Sequence, residues 1–370
     1  MTFTHPVAAA HLNILVEISH PAHVHFFRHP IRIWREHGHQ VLIVTRDKEI
    51  THALLDEIGL EYIPLSKQKM HLWSQAIELV SQWIKVFWII RRRKIDVAIS
   101  ITGLFTTVPA RLAGIVSISD TDTEDDVLAH RIAFPFSDVV LTPAAFLRQA
   151  KVPNLVTYNA FHELAYLHPN RFTPDRHYLQ DFHISEHDQF LVIRLVRWNA
   201  LHDIHQKGIS EDELREMIRL YEREGYRVLV SSERPLSAAL EPYLLTGHFS
   251  RIFHLLAFSK GYIGESPTMA MEAAILGRPS VLITSRAPYL GYTTEMQQKY
   301  GLLHAFDCFE QARPFLQHEF LSERVYDDIA RGREQLFSEN IDLSEWLAQF
   351  TIEYATDRSR IRRKQSWPLS

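Results

Sequence analysis

Apolar residues in this chain gather in short runs that alternate with stretches of helical spacing. The runs Leu12–Ile18, Val41–Thr45, Val97–Ile101, Ile115–Ser119 and Val139–Thr142 are short and nearly continuous, which predicts strands buried on both faces. Between them, Ile31–Glu36, Ile50–Ile58, Leu72–Ile90 and Thr123–Ile132 place apolar residues at helical intervals. A polar, Pro-punctuated stretch from Asn159 to Asp188 follows. A second series then begins, with strands at Phe190–Leu195, Arg227–Ser231, Gly261–Ile263 and Val281–Thr284. Its helices fall near Glu211–Glu224, Thr268–Leu276 and Thr294–Lys299. Strand and helix in alternation predict an α/β protein with doubly wound parallel sheets.

The pattern divides the chain into two Rossmann-like halves, 1–158 and 189–340, with 159–188 as linker and 341–370 as a helical tail that turns basic from Arg358. Two such halves are expected to face across a cleft, with ligands at the carboxyl ends of the strands. A length of 370 residues and 46% hydrophobic content suffice for two cores. A net charge of −4 supplies no general attraction for nucleic acid. The lone Cys308 excludes an internal disulfide framework and suits a reducing cytoplasm. Residues 1–11 lack the basic and apolar regions of a secretory signal, and no apolar run reaches the roughly 18 residues of a membrane span. The expectation is a soluble or peripheral cytoplasmic protein.

The segment Ile263-Gly-Glu-Ser-Pro-Thr-Met-Ala-Met-Glu-Ala-Ala-Ile-Leu-Gly-Arg-Pro279 carries the strongest signal. A strand breaks into small polar residues, a helix follows and stops at Gly277 and Pro279, and a second strand begins at Val281. Ser266 and Thr268 lie at the helix start, where unpaired N–H groups favour a phosphate, and Glu272 is placed to accept from sugar hydroxyls. An ordinary strand, N-cap and helix accounts for the same spacing. The segment resembles the donor-binding motif of GT-B-fold enzymes, the class of the peptidoglycan N-acetylglucosaminyltransferase and the non-hydrolysing UDP-N-acetylglucosamine 2-epimerase. That resemblance implies a nucleotide sugar with its diphosphate at Ser266 and Thr268 and its ribose at Glu272. Pro267-Thr268 departs from the glycines usual in those relatives.

The first strand ends in Ser19-His-Pro-Ala-His-Val-His-Phe-Phe27. A histidine at a strand's carboxyl end has a pKa suited to general-base work. It is also an ordinary surface residue in a chain with 22 histidines. Read as an extended segment, Ser19–Phe27 puts His23 and His25 on one face. Pro21–Phe27 resembles a prokaryotic family of unknown function (domain of unknown function 354). In inverting GT-B enzymes a histidine at this place deprotonates the acceptor, which implies that role for His23. Pro30 is expected to kink or restart the following helix. His25 and His29 share a metal-chelating interval but lack a third ligand, so no metal site is expected. His25, Thr102 and Gly103 in Ser100–Gly103, and Asp120 and Glu124 in Asp120–Asp126, are candidates for the acceptor side. Asp120 is the alternative catalytic group. Capping a helix is the bland role for Asp120 or Asp122.

On the donor side, Arg194 and Arg197 suit a diphosphate, or an ion pair with Glu233 or Glu265. Trp198 suits stacking or packing, and His254 a base, a phosphate or a turn. Leu72–Ile90 holds Trp73, Trp83, Phe87 and Trp88 before Arg91-Arg-Arg-Lys94, which fits a buried helix with a solvated end or an interface with anionic lipid. The C-terminal helix, Glu345–Tyr354, is expected to return to the N-terminal half, as in GT-B relatives. The resemblance implies an inverting, metal-independent glycosyltransferase that moves sugar from a UDP-sugar to a glycan or lipid-linked hydroxyl, with no cofactor. The polysaccharide or glycolipid product would be made at the inner face of a membrane. A UDP-sugar 2-epimerase and a non-catalytic nucleotide-sugar-binding protein are the alternatives.

Overall fold

Strands rich in Val, Ile and Leu with no alternation of polar residues must be covered on both faces, and both sheets of the computed structural model are covered by helices. The structure describes residues 11–47, 49–67, 72–124, 126–146, 154–197 and 208–357. They form two units: unit 1 is Met1–Tyr166 with Ile341–Ser370, and unit 2 is Leu167–Asn340. The stretch 159–188, expected to be a linker, is therefore divided between them. The basic tail from Arg358 and Trp198 lie outside the described residues, as does the Trp73 side chain.

Unit 1 contains β1 (Asn13–Ile18), α1 (Pro21–Glu36), β2 (Gln40–Asp47), α2 (Glu49–Glu57), β3 (Tyr62–Lys67) and α3 (Leu72–Arg93). It continues with β4 (Val97–Ile101), α4 (Thr107–Ala113), β5 (Val116–Asp120), α5 (Val127–Ala133), β6 (Val139–Pro143), β7 (Leu155–Tyr158) and α6 (Leu164–Leu167). The strands run parallel in the order β3-β2-β1-β4-β5-β6-β7. Leu15 of β1 pairs with Leu42 on one side and Ala98 on the other. The chain winds outward from β1 to β3, then returns to β4 on the opposite side. The crevice at this reversal, between the carboxyl ends of β1 and β4, is where a doubly wound sheet accepts a ligand.

Helix α1 begins earlier than periodicity suggests, at Pro21, and continues through Pro30 rather than restarting there. A mid-helix proline costs about 3 kcal/mol. Burial of Val24, Phe26, Phe27, Ile31, Ile33 and Trp34 offsets that cost, at about 1.5–3 kcal/mol for each large side chain. The acidic stretch from Asp120 to Glu124 stays outside α5, which starts at Val127.

Unit 2 contains β8 (Phe190–Leu195), α7 (Glu211–Arg223), β9 (Arg227–Ser232), α8 (Ile252–Phe258), β10 (Tyr262–Gly264) and α9 (Pro267–Ile275). It continues with β11 (Ser280–Ile283), α10 (Gly291–Gln298), β12 (His304–Phe306), α11 (Phe309–His318) and α12 (Glu323–Glu339). Its parallel order, β12-β11-β10-β8-β9, reverses between β8 and β10. Leu191, Ile193, Val230, Ile263 and Val281 form the core with Leu214, Met217 and Phe320.

The last helix, α13 (Leu343–Thr356), belongs to unit 1 and packs on α1. The Trp34 indole N–H donates to the Ala348 carbonyl at 3.1 Å, and the Tyr354 hydroxyl to the Asp138 carbonyl at 2.9 Å. These bonds tie a distant segment of sequence to the first helix and to the start of β6.

Candidate functional site

The reversal point of unit 1 is built around a carboxylate inside a strand. Glu17 of β1 is buried, with Oε1 accepting from the Ser19 hydroxyl at 2.7 Å and Oε2 from the Thr106 hydroxyl at 3.0 Å. Ser100 of β4 shares a hydrogen bond with Thr106 at 2.9 Å, so the network joins both strands of the crevice. Burial pushes the Glu17 carboxyl up to about 7, against the pull of Ser19 and Thr106. The helix above it starts at His20, whose ring accepts from Ala22 N–H at 3.2 Å. One turn in, His23 Nδ1 accepts from Ser19 N–H at 3.3 Å, and the His20 and His23 rings lie 5.8 Å apart. With Nδ1 accepting, neutral His23 carries its proton on Nε2.

His25 is placed differently. In a helix it faces away from His23, and it is buried against Tyr166 with ring centroids 5.6 Å apart. Burial, aided by the charge of Arg28, lowers its pKa to about 3 and keeps it neutral. The residue expected on the acceptor side is thus packed inside unit 1. Helix α1 thus replaces the extended segment expected over Ser19–Phe27, and the two histidines do not share a face.

Thr102 and Gly103 form a tight turn after β4. Thr102 has φ +63° and donates its N–H to the Asp120 carbonyl at 2.6 Å, while Gly103 N–H donates to the Ile101 carbonyl at 2.8 Å. Gly103 has φ +83°, and a Cβ there would lie 2.5 Å from both Ser119 Oγ and Thr107 Cγ2, so only glycine fits. The turn brings Thr102 beside Asp120, and Glu124, close by in sequence, is also buried.

Asp120 belongs to a cluster that the sequence did not reveal. His162 Nε2 lies 2.5 Å from Asp120 Oδ1 and its Nδ1 lies 3.1 Å from Asp122 Oδ2, while Tyr158 donates to Asp120 at 3.1 Å. Both ring nitrogens meet carboxylates, so both donate and the ring is an imidazolium. Burial opposes that charge, but Asp122 and Asp120 outweigh it and push His162 up to about 9. Glu163 beside it is raised to about 7 by burial and by Asp122. Phe26 of α1 packs on the His162 ring at 4.7 Å. Asp120 Oδ2 is buried without a hydrogen-bond partner among the described residues.

In unit 2, Ser266 caps α9, its hydroxyl accepting from Met269 N–H at 3.4 Å. Pro267 occupies the first helical position and has no N–H, so Thr268 opens the donor groups of the helix. Glu272 follows on the same helix and is buried. Gly264, at the end of β10, lets that strand approach β8; a Cβ would lie 2.7 Å from the Arg194 carbonyl. Glu265 is fully buried and brings together Val196 after β8 and Ile209 before α7. Its carboxylate accepts from Val196 N–H at 2.7 Å and from Ile209 N–H, with Arg234 at 3.6 Å.

The two arginines of the β8 segment separate. The Arg194 guanidinium donates to Ser231 Oγ at 2.7 Å and to Glu233, which is the ion pair that its sequence position offers as the alternative to phosphate. Arg197 is exposed, its backbone N–H held by Glu233 at 3.2 Å. His254 serves the local structure. Its Nδ1 accepts from Asp175 N–H at 3.0 Å, and its ring lies 4.4 Å from Tyr178 and 4.8 Å from Phe172.

The His162 clamp has a measurable signature. Its folded pKa of about 9 exceeds the unfolded value of 6.5, so its stabilisation is complete below pH 6.5 and disappears as pH rises through 9. Glu17 and Glu163, raised to about 7, lose theirs between 4.5 and 7. Stability should therefore fall by about 2 kcal/mol between pH 7 and 9.5. Urea unfolding across that range should show the slope in the wild type and little of it in His162→Gln.

The comparisons with known proteins agree with this architecture. No curated protein matches the chain by sequence. Staphylococcus aureus MnaA, solved with UDP, aligns at TM-score 0.64 and 9% identity over 97% of this chain and 99% of its own. The UDP-GlcNAc 2-epimerase of Methanocaldococcus jannaschii aligns at 0.60 and 11%, over 88% and 98%. Acinetobacter baumannii MurG aligns at 0.56 and 10%, over 92% and 99%. The fold is GT-B, shared with glycosyltransferases and UDP-GlcNAc 2-epimerases. The profile described as "Protein of unknown function (DUF354)" matches residues 12–291, and the chain belongs to that family.

Proposed function

We propose that this protein transfers a sugar from a UDP-sugar to a hydroxyl acceptor, with inversion and without a metal or other cofactor, in the synthesis of a cell-surface polysaccharide or glycolipid. The observation that carries the reading is the start of α9 at the reversal point of the unit 2 sheet. Ser266 and Thr268 present backbone and hydroxyl groups there, Arg197 stands exposed at the end of the neighbouring strand, and Glu272 lies further along the helix. Such a helix start favours a diphosphate, and a carboxylate beyond it suits ribose hydroxyls. Arg194 contributes through Glu233, which also holds the Arg197 backbone.

On unit 1, the acceptor is assigned to the crevice of His23, Thr102 and Gly103, with Asp120 and Glu124 in the acidic region beside it. His23 Nδ1 is the basic nitrogen in the tautomer set by Ser19 N–H, and a 3.3 Å bond is weak enough for an acceptor hydroxyl to replace. The hydroxyl proton passes to Nδ1 as its oxygen attacks the anomeric carbon and the UDP leaves.

A second reading, 2-epimerisation of the UDP-sugar, is favoured by one observation: Glu17 and Glu163, both brought to about 7, are acid–base groups near neutrality. Incubating the protein with UDP-N-acetylglucosamine alone separates the two, because an epimerase turns over without acceptor.

Helix α3 supports a lipid-linked acceptor. Ile77, Val80, Ile84 and Trp88 form an exposed stripe on one face, with Ile77 68% and Trp88 53% accessible. Arg91, Arg92 and Arg93 end the helix, and Arg92 lies 5.9 Å from the Trp88 ring. Among the described residues no helix is long and apolar enough to cross a membrane. This face suits the surface of an anionic bilayer.

Three measurements test these assignments. Calorimetry should show affinity falling from UDP to UMP to uridine; equal binding of all three would remove the diphosphate from α9. His23→Gln, which keeps an amide but no basic nitrogen, should lower kcat roughly 10²–10⁴-fold with UDP affinity unchanged, in buffer containing EDTA. Sedimentation with vesicles should show binding that rises with phosphatidylglycerol content and is reduced in Trp88→Glu; no binding at any composition would leave α3 as a solvated helix.

A further inference from the structure

Unit 2 contains a second concentration of positive charge, at the opposite end of its strands from the start of α9. Gln189 precedes β8, Lys260 precedes β10 and Arg278 precedes β11, so these residues mark the amino ends of the strands. They line a cavity of about 620 Å³ together with Arg176, Arg333 and others.

Arg176, Lys260, Arg278 and Arg333 all face this cavity. Glu186 and Asp188 share the wall, but Asp188 is already engaged by Arg227 at 3.4 Å and by Ser185 N–H at 3.0 Å. Neutral groups, rather than acids, hold the guanidiniums of Arg333 and Arg176 in place. Arg333 donates through Nε to the Ile275 carbonyl at 2.8 Å and lies 5.0 Å from the Phe337 ring. Arg176 donates to the Glu186 carbonyl at 3.1 Å and lies 4.5 Å from the Phe258 ring. Carbonyl and aromatic contacts fix a guanidinium's orientation while leaving its charge uncompensated. Arg278 Nε is buried without a hydrogen-bond partner among the described residues. Burial lowers the pKa of Arg278 against the opposing effect of Tyr326, with the charge of Arg176 acting in the same direction as burial. Burial lowers that of Arg333 as well, and the charge of Arg278 adds to it. The partly desolvated Arg278 thus has like-charged neighbours in Arg176 and Arg333, an arrangement that a multiply charged anion would relieve.

We infer that this cavity binds a small phosphorylated ligand, a compact anion carrying one or more phosphoryl groups, at a site separate from the proposed donor site. Arg176, Arg278 and Arg333 supply paired N–H donors to phosphoryl oxygens, and Lys260 supplies a point charge. A ligand held here bridges the loop after α8, the loop before β11 and α12, whose cations otherwise face one another with like charge. It would act on unit 2 from the end of the strands away from Ser266.

Inorganic pyrophosphate is the probe, titrated by calorimetry into protein with and without saturating UDP. The expected result is pyrophosphate binding that persists in the presence of UDP and weakens at least tenfold in Arg278→Gln. UDP affinity in that variant should match the wild type. Arg176→Gln, an exposed side chain on the other part of the wall, should give the same loss and serves if Arg278→Gln does not fold. Pyrophosphate binding that UDP abolishes, or that is unchanged in the folded variants, overturns the proposal. Should UDP itself not bind, the dependence of pyrophosphate on Arg278 and Arg176 still decides the matter.

Discussion

Burial of both faces of a parallel sheet is the constraint from which the rest of this structure follows. Strands such as Ile14–Ile18 and Leu191–Ile193 are covered by helices above and below, so almost no position within them tolerates a charge. Polar chemistry is displaced to the strand ends, where loops leave backbone groups unpaired and helices begin. Residues that break the constraint are correspondingly informative. Glu17 sits within β1 and is kept there by two hydroxyl donors, and Arg194 within β8 by Ser231 and Glu233. Each lies beside the strand pair at which its sheet reverses direction.

The two strand-end regions have opposite characters. In unit 1 the groups are acids and histidines in close contact, and desolvation moves Glu17 and Glu163 toward neutrality while a pair of aspartates holds His162 charged. Groups with such pKa values suit proton exchange. In unit 2 the groups around α9 are N–H donors, hydroxyls and an exposed arginine, with Glu265 employed in holding Val196 and Ile209. Such groups suit a charged ligand with which no proton is exchanged. The proposed transfer from a nucleotide sugar would use proton handling on unit 1 and anion binding on unit 2.

The candidate site was legible where function depends on local sequence. The strand, turn and helix around Ser266 follow from adjacent residues, and the same is true of Gly103, which the turn after β4 admits for lack of a Cβ. It was illegible where residues meet across the fold. His162 lies in a stretch with no periodicity, yet α6 and the loop before it bring it to Asp120 and Asp122, about 40 positions earlier in the chain. The local hint was the pair His162-Glu163 set among Ala160, Phe161, Leu164 and Ala165. Glu17 carried a similar hint as a lone acid in an apolar strand. The strands β3, β7 and β12 were missed because each is short or interrupted: β3 contains Pro64 and β12 has three residues.

By itself, then, the sequence determined the fold class, the alternation of elements and the capped start of α9, because these depend on continuous apolar runs, on a period of 3.6 and on neighbours within one helical turn. Tertiary structure decided which side chains remain available for chemistry. His23 and His25 are two residues apart, and an extended segment would place them together; a helix separates them by about 200°, sending one toward Ser19 and the other into the core against Tyr166. Packing of α1 against α13, from the far end of the chain, favours that helix despite Pro30. Tertiary contacts likewise decided protonation, burial for Glu17 and the two aspartates acting against burial for His162, since a pKa depends on the water and charges around a group and neither is written in its neighbours along the chain.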